Sequence, residues 1–181
     1  LSIAGLVASI MLIQLHVKAH TRPMERSFCS VHAKVDCLSV AESPYAVFLG
    51  VPVAAWATFA FVVLILGTLW LIGRQWRGRK PDALPGITFL LAAFSVLMAG
   101  VMAWIAHGLI GVLCLVCAAL YLINPALMIV AWLIARKHGG IGAAIRKDLA
   151  LLRSRTFDFA GFAGGMLAVA GLLMWLYPRY W

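Results

Sequence analysis

The sequence predicts an all-α integral membrane protein with five transmembrane helices, and three observations predict it. Apolar residues make up 64% of the 181 residues and charged ones only 12%, with a mean hydropathy of +0.99. A soluble domain of this length cannot hide so much apolar surface in one core. Next, Ala83 to Ala135 contains no Asp, Glu, Lys or Arg. Those 53 residues are more than twice the ~20 that one transmembrane helix needs. The run must fold back on itself, and His107-Gly108-Leu109-Ile110-Gly111 is the expected bend. Finally, the formal charge of +9 comes mostly from Lys and Arg lying between the apolar runs. That distribution points to a lipid bilayer, not to nucleic acid.

Taken in order, Leu1 to Val17 is uncharged and forms the first span. It lacks the basic leader of a signal peptide, so a retained helix is expected. Lys18 to Ser43 is a polar loop carrying His20, Cys29, His32, Asp36 and Cys37. Ser43-Pro44 is expected to start the second span, with Ser as N-cap and Pro at the first helical position. That span runs to Gly73 and ends in Arg74-Gln75-Trp76-Arg77-Gly78-Arg79-Lys80. Pro81 and Pro85 lead into the third span, and the fourth returns to Ala135 with an expected kink at Pro125. Residues 136–158 form a basic connection. Residues 159–181 hold the fifth span, in which Gly161 and Gly165 offer a possible close helix contact.

Charge counting orients the chain. The connections after the second and fourth spans carry ten of the 15 Lys and Arg, and the one after the third carries none. The positive-inside rule makes the former cytoplasmic. Both the loop holding Cys29 and Cys37 and the pair Cys114-Leu115-Val116-Cys117 then fall on the external face. There disulfides persist.

Four cysteines in two pairs on one predicted face suggest an electron relay. Cys114 and Cys117, three apart, share one helix face, and Tyr121 follows on the same side. A helix N-terminus favours their thiolates, and exchange proceeds through mixed disulfides. Two other readings use the same residues. Structural bridges could brace a non-catalytic scaffold subunit, although a bridge across C-x-x-C is more typical of redox pairs. A four-cysteine zinc site fits the count, but its usual form is two short-spaced pairs in a polar knuckle. His16 and His20, four apart, are weak candidates for haem or metal ligation. His107, near the cysteine pair, is a weak candidate proton donor.

The combined pattern resembles the vitamin K epoxide reductase family, including its bacterial quinone-linked members. The resemblance rests on Cys29, seven residues, Cys37, and Ser43 six residues on. One helix and one basic loop later come Cys114-Leu-Val-Cys117 and Tyr121. It covers roughly Leu1 to Ala135. It implies a four-helix transmembrane bundle around a quinone site (residues 1–135, with the external loop 18–43) plus a fifth peripheral transmembrane helix. It also implies a thiol:quinone oxidoreductase of the bacterial inner membrane, with its active cysteines external. In that reading Cys117 faces the quinone, Cys114 exchanges with Cys37, and Cys29 meets a thioredoxin-like partner. Ser43 and Tyr121 lie near the quinone, which would be ubiquinone, menaquinone or similar, and no metal is required. Some relatives carry a fused thioredoxin-like domain after a fifth helix. None follows Trp181 in this sequence, which implies a separate partner or a longer chain. Animal members place an Asn near the start of the second helix, whereas the only Asn here is Asn124. Plain quinone reduction is therefore expected rather than epoxide reduction.

Overall fold

The computed structural model describes residues 1–22, 29, 34–76, 84–154 and 156–176. The chain is a helical membrane bundle. Helix α1 spans Ser2–Thr21, and a short α2 spans Cys37–Glu42. A 3-10 turn at Pro44–Ala46 leads into a hairpin of β1 (Val47–Phe48) and β2 (Val51–Pro52). Five helices follow: α3 (Val53–Trp76), α4 (Pro85–Trp104), α5 (Leu115–Lys137), α6 (Ile141–Ser154) and α7 (Thr156–Leu176).

Among the described residues, three helices have the length and composition to cross a bilayer. These are α1, α5 and Pro85–Ile110, which is α4 with its wider final turn. The described apolar stretches of α3 and α7, Val53–Leu69 and Ala163–Leu172, are shorter. Helices are the natural solution because hydrocarbon offers the backbone no hydrogen bonds, and a helix satisfies its own. Large apolar side chains accordingly line the outer faces, with Phe94, Leu97, Leu122 and Leu167 all exposed. Helix α1 packs on α3 and α5, α5 packs on α4, and α6 packs on α4 and carries α7. A buried cluster runs along α1 from Ala8 to the cysteines. It comprises Ala8, Leu15, Ala19, Cys29, Cys37, Leu38, Phe61, Cys114, Val116 and Leu120.

The expected reversal exists but falls at residues 111–114, at the last residue of the expected bend, because residues 107–110 stay helical. Helix α4 widens into a π turn at Ile105–Ile110 and stops at Gly111, whose φ of +73° suits glycine. One local expectation is corrected. The membrane helix α3 starts at Val53, not at Ser43-Pro44. Ser43 instead closes α2, and its hydroxyl donates to the Val40 carbonyl (2.8 Å). A side chain engaged backwards cannot cap a following helix, and the hairpin intervenes. Within the polar segment 18–43, α1 continues to Thr21 and Cys37–Glu42 is helical. The connection 136–158 is largely the amphipathic helix α6. Pro125 lies inside α5, which continues uninterrupted across it. Among the described residues, Cβ atoms added at Gly161 or Gly165 would meet nothing within 4 Å. Tyr177, Tyr180 and Trp181, aromatic residues that suit interface anchors at a span end, lie outside the described residues.

Gly86, in the first turn of α4, faces the backbone of α6. A Cβ there would sit 2.5 Å from the Ile145 nitrogen and 2.7 Å from its Cα. Neither atom can move without shifting α6. Gly86→Val should therefore destabilise the protein by about 1–3 kcal/mol, the usual range for overpacking. Gly67→Ala, in open space within α3, should be neutral or stabilising by up to about 1 kcal/mol. Thermal unfolding in detergent compares the two, and equal melting temperatures would refute the close α4–α6 contact.

Candidate functional site

The site is built from two segments far apart in sequence and stitched by backbone. Val35 and Leu113 form an isolated parallel bridge. The Asp36 N–H donates to the Leu113 carbonyl (3.1 Å), and the Leu113 N–H donates to the Lys34 carbonyl (2.9 Å). Cys37 follows this stitch on one side and Cys114 on the other. Their side chains are thus delivered to one place by the register of two hydrogen bonds.

Each cysteine begins a helix. Asp36 is the N-cap of α2: its Oδ1 accepts the Leu38 N–H (3.1 Å), and its Oδ2 accepts the Ser39 hydroxyl (2.7 Å). Cys37 is thereby fixed in the first turn. Cys114 is itself the N-cap of α5, and its Sγ accepts the Cys117 N–H at 3.2 Å. A sulfur here does what a Ser or Asp oxygen usually does. The arrangement favours a thiolate, because the positive end of the helix and an N–H both point at the sulfur.

Cys29 and Cys37 are joined by a disulfide, with Cα atoms 5.6 Å apart. Cys114 and Cys117 are free thiols. The sulfurs of Cys29, Cys37 and Cys114 all lie within 4.8 Å of one another, and all three residues are buried. Cys117 is half-buried and belongs to the group through its hydrogen bond to Cys114. Chemically, a thiolate beside a disulfide can exchange with it without large movement of the backbone. As three thiolates, the same sulfurs would also suit a soft metal ion; the Cys29–Cys37 bridge withdraws two of them.

Tyr121 lies one turn beyond Cys117 on α5 and is half-buried. Its phenol can donate a hydrogen bond, so Cys117 and Tyr121 supply a thiol and a donor along one face. That pair suits a quinone ring with its carbonyl oxygen. Ser43 closes α2, where its hydroxyl donates to the Val40 carbonyl. His107 is exposed in the π turn. The two histidines of α1 are occupied individually. His16 is buried and its Nδ1–H donates to the Ala41 carbonyl (3.0 Å), while His20 bonds the His16 carbonyl through Nδ1 (2.9 Å).

Sequence reasoning missed two positioning residues. His16 ties α1 to α2, behind the Cys37 turn, and reads in the sequence as one of several polar groups near a span end. Asp36 could have been found, since Asp directly before an apolar helical start is an N-cap signal. The backbone stitch carries no side-chain signature at all.

Asp36→Ala should cost about 1 kcal/mol by removing the cap, while Asp36→Asn should retain most of it. Denaturant unfolding of the two variants checks this. If both lose stability equally, charge rather than capping is the role of Asp36.

The family model described as Vitamin K epoxide reductase family matches residues 1–132. That span contains all four cysteines, the stitch and Tyr121. Among curated proteins none matches the chain.

Proposed function

The chain belongs to the vitamin K epoxide reductase family, and from that premise we propose that it moves electron pairs from a thioredoxin-like protein to a membrane quinone. The family implies a membrane thiol-disulfide oxidoreductase working with quinones; the particular route below is our reading. The observation that carries it is the meeting of the Cys29, Cys37 and Cys114 sulfurs within 4.8 Å, with Cys117 hydrogen-bonded to the last.

The cycle begins with a thiolate of the reduced partner attacking Cys29 of the Cys29–Cys37 disulfide. A partner–Cys29 bond forms and the Cys37 thiolate leaves. Cys37 then attacks Cys114 of an oxidised Cys114–Cys117 pair, releasing Cys117 as thiolate. The partner's second thiol displaces Cys29, which leaves the partner oxidised. Cys29 attacks the Cys37–Cys114 bridge, restoring Cys29–Cys37 and freeing Cys114. The result is a bridged loop pair and two free thiols at the membrane edge. Cys117 then delivers two electrons to the quinone as the Cys114–Cys117 bridge reforms. The two thiol protons balance the quinol, and the Tyr121 hydroxyl steadies the developing oxygen charge. Net, one partner dithiol and one quinone become one disulfide and one quinol.

Helix N-termini assist at both exchange points, because each attacking or leaving sulfur at Cys37 and Cys114 sits in a first turn. Burial of these sulfurs keeps water from the relay, and Cys29, buried with them, must become accessible for the partner thiolate to reach it. Charge counting favours the external face for the cysteines, where a disulfide-forming partner works. Which quinone is used, ubiquinone or menaquinone, depends on the membrane that holds the protein. Ser43, at the end of α2, completes the quinone-side residues in this reading.

Cys117→Ser should abolish quinone-dependent oxidation of a thioredoxin-like substrate and accumulate a Cys37–Cys114 bridge, seen by mass mapping of peptides. Loss of activity without that bridge would overturn the proposed order of transfer. Tyr121→Phe should slow quinone reduction about tenfold, the worth of one hydrogen bond near 1.4 kcal/mol. Its thiol exchange with the partner should be unchanged. A stopped-flow measurement of quinol formation separates the two steps.

A further inference from the structure

At the end of the bundle away from the cysteines, α4 begins, α5 ends and α6 packs across them. None of this is used by the thiol chemistry. The Asp148 carboxylate accepts the Ile87 N–H (2.9 Å) at the start of α4 and is 2% exposed. Ala144 is wholly buried where α6 meets Gly86. Helix α6 is therefore held in a defined position by a buried cap and a close backbone contact.

This docking has a consequence for charge. Asp148 is the only acid between Ala83 and Ser154, and it is turned inward. Arg136, Lys137, Arg146, Lys147 and Arg153, on the same stretch, are all exposed. Among the described residues of this corner, the exposed charges are basic and Asp148 is buried in the α4–α6 contact.

The docking also shapes a groove of about 280 Å³ between α4, α5 and α6, lined by Phe89, Met128, Ile129, Trp132 and Ile141. Every lining side chain is apolar or aromatic. The Arg136 guanidinium is stacked over the Trp132 ring, 4.6 Å from its centroid, so a cation is fixed beside the groove. The Lys147 ammonium is held 3.4 Å from the His138 carbonyl, at the end of α5 close to Arg136.

A hydrocarbon-lined slot with anchored cations beside it fits a molecule that is an alkyl chain at one end and an anion at the other. We infer that this groove is a binding site for an anionic phospholipid. One acyl chain lies along Trp132 and Ile129, and the phosphate meets Arg136 with Lys147 alongside. A zwitterionic lipid would bring an ammonium group into a corner already crowded with cations, so headgroup charge is the selective feature. The site would tie α6 to the bilayer and clamp the starts and ends of the helices that carry the redox pair.

The test is native mass spectrometry of the full chain released from detergent after exchange into equal amounts of dioleoylphosphatidylglycerol and dioleoylphosphatidylcholine. One phosphatidylglycerol should be retained preferentially. Arg136→Gln should reduce its retention about fivefold, the effect of one basic residue near a charged headgroup. Ile129→Trp, which fills the slot, should also reduce it, while Arg153→Gln, near the far end of α6, should not. Equal retention of the two lipids, or equal loss from Arg136→Gln and Arg153→Gln, would overturn the site in favour of diffuse surface charge. The readout is lipid mass, so failure here leaves the thiol relay untouched, and failure of the relay leaves this site untouched.

Discussion

Two backbone hydrogen bonds between the Lys34–Asp36 segment and Leu113 set the geometry on which the redox site depends. A disulfide exchange reaction requires three sulfurs nearly in contact, and side-chain rotation alone cannot bring together residues some 77 positions apart in the chain. The parallel bridge fixes the register, so that Cys37 and Cys114 emerge side by side at two helix starts. Slipping that register by one residue would turn a side chain to the opposite face, and the sulfurs would part.

The rest of the bundle holds this bridge in place. Helix α1 backs the cysteine turn through a hydrogen bond from His16 to Ala41, and Leu15 and Ala19 belong to the same buried cluster as the sulfurs. The disulfide ties Cys29 to the start of α2 from the other direction. The π turn and Gly111 return the chain tightly enough to present Leu113 to the loop. Burying the thiols among apolar groups restricts which partners reach them. The helix N-termini offset the penalty that burial imposes on a thiolate. Reactivity and protection thus come from the same packing.

The opposite end is organised by a different constraint. There a buried carboxylate caps α4 and a glycine admits the backbone of α6. The two ends share α4 and α5, so the position of α6 bears on helices whose other ends carry Cys114 and the turn before it. The family match stops at residue 132, and α6 lies beyond it.

Much was legible in the sequence because it depends on local composition. A charge-free run longer than one span forces a reversal, and Gly108 and Gly111 mark where it can occur. Apolar length declares the membrane helices, and the spacing of Cys29 and Cys37 permits their bridge. The pairing of C-x-x-C with a loop pair and Tyr121 carried the family. What the sequence left undetermined depends on contacts between distant segments. The start of α3 moved to Val53 because the Ser43 hydroxyl turned back to Val40, and a capping residue reads the same whichever way it points. Helix α6 was hidden inside a basic stretch because its apolar stripe matters only against Gly86, and Asp148 has meaning only beside the N–H of Ile87. The sequence by itself determined a helical membrane protein with two cysteine pairs. Only the tertiary structure decided that their sulfurs meet, because hydrogen bonding between Lys34–Asp36 and Leu113 uses main-chain atoms that every residue possesses.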